Sequence, residues 1–175
     1  MAEMNDSFNE VTAEMLKVIS DYDSVTGFQG AYNIRQDSMC AGRKNSENIT
    51  IESKTDKPGI NIRVKPGTKG ETVYIPACVT HSNVDDLVYN DFFIGEGADV
   101  TIVAGCGVHS DGSEAARHNG IHRFFLEKGA KVLYKEKHIG TGKGTGLRRI
   151  DPVTDAYLKE DSYLETVSYT HLTLP

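Results

Sequence analysis

The sequence predicts a mainly β protein, a parallel β-helix-like solenoid with a short N-terminal helix, and three observations lead there. First, Asp91-Phe92-Phe93-Ile94-Gly95-Glu96-Gly97-Ala98-Asp99-Val100 returns 32 residues later as Arg123-Phe124-Phe125-Leu126-Glu127-Lys128-Gly129-Ala130-Lys131-Val132, and a degenerate third copy, Tyr157 to Leu164, keeps the step. Second, each copy is two short apolar runs around a Gly-Ala turn, a unit that cannot bury its face alone and must stack on its neighbours. Third, the chain ahead of the repeat is a series of short, β-branched, alternating runs. Antiparallel hairpins would give as many strands but require no fixed step, so a double-stranded barrel of cupin type is the second architecture.

The elements follow in order. Between Ser7 and Asp21, Phe8, Val11, Met15, Leu16 and Ile19 fall near helical spacing, with Asp6 or Ser7 as cap, and this helix should close one end of the core. From Gly27 the character changes. Gly30 to Arg35, Ile49 to Ile51, Ile60 to Val64 and Thr72 to Ile75 read as strands, punctuated by Lys57-Pro58-Gly59 and Lys65-Pro66-Gly67. In the repeat the strands are Leu87 to Ile94, Asp99 to Ala104, Ile121 to Leu126 and Lys131 to His138. Two polar or glycine-rich segments, His109 to Gly120 and Gly140 to Pro152, read as rung loops emerging on one face. Gly140 to Gly146 resembles a phosphate loop only superficially, because Gly144 follows Lys143 where Ser or Thr is needed, and it reads as a mobile rung loop. The expected organisation is residues 1–26 as helix and lead-in, 27–166 as solenoid core and 167–175 as a non-native tail. That tail, Val167 to Pro175, abandons the repeat inside an expected strand and looks like the translation of a transposon-type sequencing adapter. The natural chain is then expected to continue past about Glu165.

Composition sets the class. With 175 residues, 38% hydrophobic and 25% charged, the chain is long enough for one domain with a real core. A net charge of -6 argues against a nucleic-acid surface, and Arg148-Arg149 is the one basic pair near a loop that could bind an anion. No apolar run approaches the roughly 20 residues of a membrane span, and Met1 to Asp6 lacks a signal-peptide layout, so a cytoplasmic location is expected. Three cysteines at wide spacing, Cys40, Cys78 and Cys106, fit reduced thiols, with Cys40 and Cys78 expected as buried packing residues.

Taken together, Gly30 to Arg35, Ser53 to Ile60, Leu87 to Val100, Ala104-Gly105-Cys106-Gly107-Val108-His109 and His118-Asn119-Gly120-Ile121-His122 resemble the SufB/SufD family of the SUF iron–sulfur cluster assembly system in its short, core-only form. The resemblance runs from about Gly27 to Glu165. It implies a right-handed parallel β-helix and pairing through that core with a SufB/SufD-like paralogue or a second copy. It also implies recruitment of a SufC-type ABC ATPase through a C-terminal helical segment that this sequence does not contain. The role implied is a scaffold and not an enzyme, on which a transient iron–sulfur cluster is built or held and passed to apoprotein acceptors.

Within that frame Cys106 is the leading ligand. A thiolate suits iron–sulfur chemistry, and the glycines on either side would let a ligand approach an accessible sulfur. His109 is three residues on, and His138 is the partner of Cys106 in the next rung, about 4.8 Å away if 32 residues make one rung. The expected cofactor-binding set is Cys106, His109 and His138, and the expected metal set is Cys106, His138 and His122. Glu136 shares the strand face of His138 and could bind metal or belong to a solvated stripe. The bland alternative for Cys106 is a small residue packed at a tight turn. His118 and His122 have i, i+4 spacing, but Gly120 between them argues against a helix, and at least one should be a polar loop contact. The alternative function is a metal-dependent enzyme on a solenoid or cupin-like scaffold with His109, His118 and His122 as ligands.

Overall fold

The computed structural model describes residues 7–172, so Asp6, the lead-in before it and the last three residues of the 167–175 tail lie outside the described residues. The expected helix is α1 (Glu10–Ile19), and its cap is Asn9, whose side chain accepts the Thr12 N–H at 2.9 Å. One orphan amide of the first turn is thereby satisfied. Met15, Leu16 and Ile19 are buried, as their spacing requires.

Two antiparallel hairpins follow. β1 (Ala31–Gln36) pairs with β2 (Met39–Lys44), and β3 (Ile49–Ser53) pairs with β4 (Gly59–Val64). The sequence does not announce β2, because Met39-Cys40-Ala41-Gly42 lacks β-branched alternation. Its turn is Asp37-Ser38, both at positive φ (46° and 72°), a hairpin geometry usually signalled by glycine. As β2 is an edge strand, Cys40 is exposed, contrary to the buried packing role expected of it, whereas Cys78 is buried as expected.

From β5 (Lys69–Val79) onward every pairing is parallel. The strands are β6 (Asp85–Ile94), β7 (Asp99–His109), β8 (Ala116–Leu126), β9 (Lys131–Thr141), β10 (Arg148–Ile150), β11 (Val153–Leu158) and β12 (Tyr163–Leu172). They alternate between two sheets, ordered β12-β9-β7-β5-β1-β2 and β10-β8-β6-β4-β3, with β11 also on β8. This is a parallel β-solenoid, and the parallel ladders exclude the cupin-type barrel. The repeat step is one full rung, since Cys106 partners His138 and Phe92 partners Phe124 directly.

The register stacks like on like and charge on countercharge. Phe92 lies on Phe124 with ring centroids 4.5 Å apart, Phe93 on Phe125 at 5.1 Å and Phe125 on Tyr157 at 4.9 Å. Asp91 and Arg123, Glu127 and Lys159, and Lys128 and Glu160 pair at the same step. Stacked rings contribute about 0.5–1.5 kcal/mol beyond their buried area, and the two exposed pairs, Glu127–Lys159 and Lys128–Glu160, about 0–1 kcal/mol each, so the rings hold the rungs and the charges select the register. The Gly-Ala turns stack as well. Gly67, Gly97 and Gly129 lie at φ 64–73°, a region closed to most side chains, and the third copy places Asp161 there. Each glycine N–H donates to the next turn, Gly97 to Lys128 O at 2.9 Å and Gly129 to Glu160 O at 3.0 Å.

β8 begins at Ala116, so His118 and Gly120 are strand residues and not part of a loop. The Gly140–Pro152 segment contains β10, and its glycines are tied to the preceding loop by Gly144 N–H to Ser110 O and Gly146 N–H to Gly112 O, each 3.0 Å. β12 continues in register with β9 as far as Leu172. Ladder bonds use main-chain groups alone, so an open rung edge accepts any segment of high β propensity, and Val167, Tyr169 and Thr170 supply it.

Candidate functional site

Strand parity decides which side chains meet. Facing the interior are Val100, Ile102, Ala104, Cys106 and Val108 of β7, then Val132, Tyr134, Glu136 and His138 of β9. Across from them, β8 buries Ala116, His118, Gly120, His122, Phe124 and Leu126 in strict alternation. Near the Gly-Ala turns the interior is hydrocarbon, and toward the opposite end it turns polar. A cavity of about 30 Å³ at that end is lined by Cys106, His118, His122 and Glu136 among others. That is room for about one water and not for an assembled cluster.

Cys106 and His138 are direct ladder partners, as the repeat step predicts. The environment differs from the expected one. Cys106 is only 4% exposed, and burial raises its thiol well above the usual range, so at neutral pH it is a thiol and not an accessible thiolate. Its flanking glycines open the outer face of the strand instead. A Cβ at Gly105 would lie 2.5 Å from Ile19 O, and one at Gly107 would lie 2.4 Å from Met15 Sδ. The Gly-Cys-Gly run is therefore the seat of α1.

Glu136 is the hub of the polar interior. Tyr134 Oη donates to its Oε1 at 3.1 Å, His138 Nε2 lies 3.3 Å from the same oxygen without hydrogen-bond alignment, and His122 Nε2 lies 3.7 Å away. Burial works to raise the Glu136 carboxyl, but His138, His122 and the Tyr134 hydroxyl outweigh it and hold the group below its ordinary value. Burial lowers His122 to about 4 against the attraction of Glu136, so its ring is neutral at pH 7. Among the described residues His122 Nδ1 and His138 Nε2 make no hydrogen bond of good geometry, and the His138 nitrogen lies against the Glu136 carboxylate. Cys106, His138 and His122 thus share one interior. Even so, among the described residues no group of three or more His, Cys, Asp or Glu side chains is arranged to hold a metal ion.

The structure does not bring His109 to this set. Three residues from Cys106, it falls on the outer face, where its Nδ1 contacts Thr141 Oγ1 at 2.9 Å and its Nε2 contacts Asp111 Oδ2 at 3.0 Å. His109, His118 and His122 do not converge, because the first faces outward from β7 while the other two face inward from β8. His118 is engaged elsewhere. Its Nδ1 donates to Asp86 Oδ2 at 3.0 Å, and Arg35 clamps the same carboxylate through Nε (2.9 Å to Oδ2) and Nη2 (2.7 Å to Oδ1). This Arg35–Asp86–His118 network joins the two sheets. Sequence reasoning missed it, although Asp86 and His118 stand one repeat step apart, a signal as regular as the one that located Cys106 and His138.

Three curated relatives match the chain. An iron–sulfur cluster assembly SufBD family protein of Archaeoglobus fulgidus is 34% identical over 98 residues, 55% of this chain and 26% of that protein. Two from Methanothermobacter thermautotrophicus, also named as iron–sulfur cluster assembly SufBD family proteins, are 32% (strain Winter) and 30% identical over 89 residues, each match covering 50% of this chain and 21% of the relative. The matched region thus spans between 21% and 26% of the length of these relatives. No family model matches, and no solved structure matches significantly. No helix among the described residues is long and apolar enough to cross a membrane. The parallel solenoid and the one-rung repeat thus accompany a sequence similarity, over about half of the chain, to three proteins named as SufBD family members.

Proposed function

We propose that this chain is a scaffold component of iron–sulfur cluster assembly, acting in the cytoplasm without catalysis of its own. The observation that carries the proposal is the joining of SufBD kinship to a buried Cys106–His138 pair beside Glu136 and His122. On this reading the cluster is cargo, built or held transiently and passed to apoprotein acceptors. Cys106 supplies a sulfur ligand, His138 and His122 supply imidazole nitrogens, and the Cys106 thiol loses its proton as metal binds. The 27–166 core carries the activity, α1 covers it and 167–175 plays no part. A SufB/SufD-like paralogue or a second copy completes a dimer, and a SufC-type ATPase supplies the energy. Because the interior cavity is smaller than a cluster, loading requires the rungs around Cys106 to part or a dimer partner to complete the site.

Anaerobic reconstitution with iron and sulfide tests this. The chain should gain visible charge-transfer absorbance and bound iron, and Cys106→Ala should lose most of both while keeping its far-ultraviolet circular dichroism. Equal iron and absorbance in the two proteins would remove Cys106 from the role. His109→Ala, on the outer face, should load like the parent protein.

A further inference from the structure

A second cavity lies outside the solenoid interior, between β2, the β3–β4 turn and the start of β6. Its volume is about 490 Å³, within the range of small-ligand sites. Four cationic side chains line it, Arg35, Arg43, Lys54 and Lys57. Two of them are neutralised, Arg35 by Asp86 and Lys54 by Asp91 at 2.6 Å. Among the described residues Arg43 meets only neutral acceptors, Asn33 Oδ1 at 2.8 Å and Ser53 Oγ at 2.9 Å, and Lys57 Nζ sits over the Tyr89 ring, 4.5 Å from its centroid. Of the lining carboxylates, Asp86 belongs to Arg35 and Asp85 to Arg117. Among the described residues two positive charges are therefore left without a paired carboxylate in one groove of a chain whose net charge is -6. The basic pair Arg148-Arg149 lies outside this groove; Arg149 pairs with Asp151, and Arg148, also on neutral acceptors, donates to the carbonyls of Ser110 and Gly144.

The same groove holds an exposed thiol and apolar surface. Cys40 Sγ lies 3.5 Å from Asn33 Oδ1, the oxygen that also accepts from Arg43, so one buried amide fixes the thiol beside the guanidinium. Met39, 70% exposed, together with Leu87 and Tyr89, supplies the apolar wall. We propose that this groove binds a small organic anion, a carboxylate or phosphate on an apolar body, through Arg43 and Lys57, and that it directs anionic disulfides to Cys40. In the exchange, the Cys40 thiol gives its proton to solvent and its sulfur attacks one sulfur of the disulfide. A new S–S bond forms, the old one breaks, and the other half leaves as a thiolate, the incoming disulfide being the oxidant.

The test uses the full chain and two reagents. One is 5,5′-dithiobis(2-nitrobenzoate), an aromatic disulfide with two carboxylates, and the other is neutral 4,4′-dithiodipyridine, each rate being normalised to that of an unstructured cysteine peptide. At low salt the normalised rate of the anionic reagent should exceed that of the neutral one by about tenfold or more, despite the acidic net charge. Cys40→Ser should abolish the fast phase, since Cys78 and Cys106 are buried. Arg43→Gln combined with Lys57→Gln should remove most of the preference, inorganic phosphate should slow the anionic reagent alone, and high salt should have the same effect on the parent protein. Equal normalised rates for the two reagents, or a preference untouched by salt and by the double substitution, would overturn the proposal. The salt and phosphate arms read the unaltered protein, so the test stands even if the double variant is unstable.

Discussion

Asp86→Ala is expected to cost about 3–5 kcal/mol of stability, because it strips the countercharge from a buried network. Asp86 is 2% exposed and Arg35 only 16%, so the guanidinium would be left largely shielded at the wall of the groove, with the buried His118 also unpaired. The carboxylate joins β1 of one sheet to β8 of the other, and the loss should therefore be global and not a local fraying. Urea unfolding at pH 7 measures it as a lower midpoint. A loss below about 1 kcal/mol, the range of an exposed pair, would show that the network does not hold the sheets together. Burial alone would raise the Asp86 carboxyl, but the hydrogen bonds and charges of His118 and Arg35 hold it well below its ordinary value. Its contribution is thus complete above the unfolded value of about 4 and is lost as pH falls below it.

A second acid response begins at higher pH. His122 ordinarily titrates at 6.5 and is lowered to about 4 by burial, so the unfolded chain takes up a proton that the folded chain refuses. The folded value is the depressed one, hence the stabilisation is complete above pH 6.5 and is lost progressively as pH falls toward 4. The full effect is about 3 kcal/mol, from about 1.4 kcal/mol per unit of displacement. Unfolding free energies measured across this window should decline in the parent protein and stay nearly flat in His122→Gln, which keeps a polar side chain without the titration. An equally steep decline in both proteins would assign the acid response to other groups.

The fold was legible because its signal is periodic. Phe92 and Phe124 announce the 32-residue step on their own, and the ladders of β6 on β8 and β7 on β9 make that step one rung. β2 escaped because its turn reaches positive φ with Asp37 and Ser38 instead of glycine and its residues carry no alternation. At the site, the step located Cys106 against His138, but sequence spacing does not say which strand face is the interior when both are buried. β7 has α1 on one side and the core on the other, so the glycines beside Cys106 read as access to sulfur when they are room for Ile19 and Met15. His109 failed for a simpler reason, since an odd separation along a strand puts two residues on opposite faces. The groove at Cys40 lay beyond any periodic reading, because β2, the β3–β4 turn and β6 meet only in space.

The one-rung register also determines how the molecule would come apart under load. The ladder bonds of each rung run only to the rung above and the rung below, so beyond the strands that α1 clamps a pulling force is resisted by one rung boundary at a time. Pulled from the C-terminal end, it should yield one layer at a time. Each layer of 32 residues would pay out about 110 Å of extended chain, and the stacked rings of Phe93, Phe125 and Tyr157 would act as successive catches.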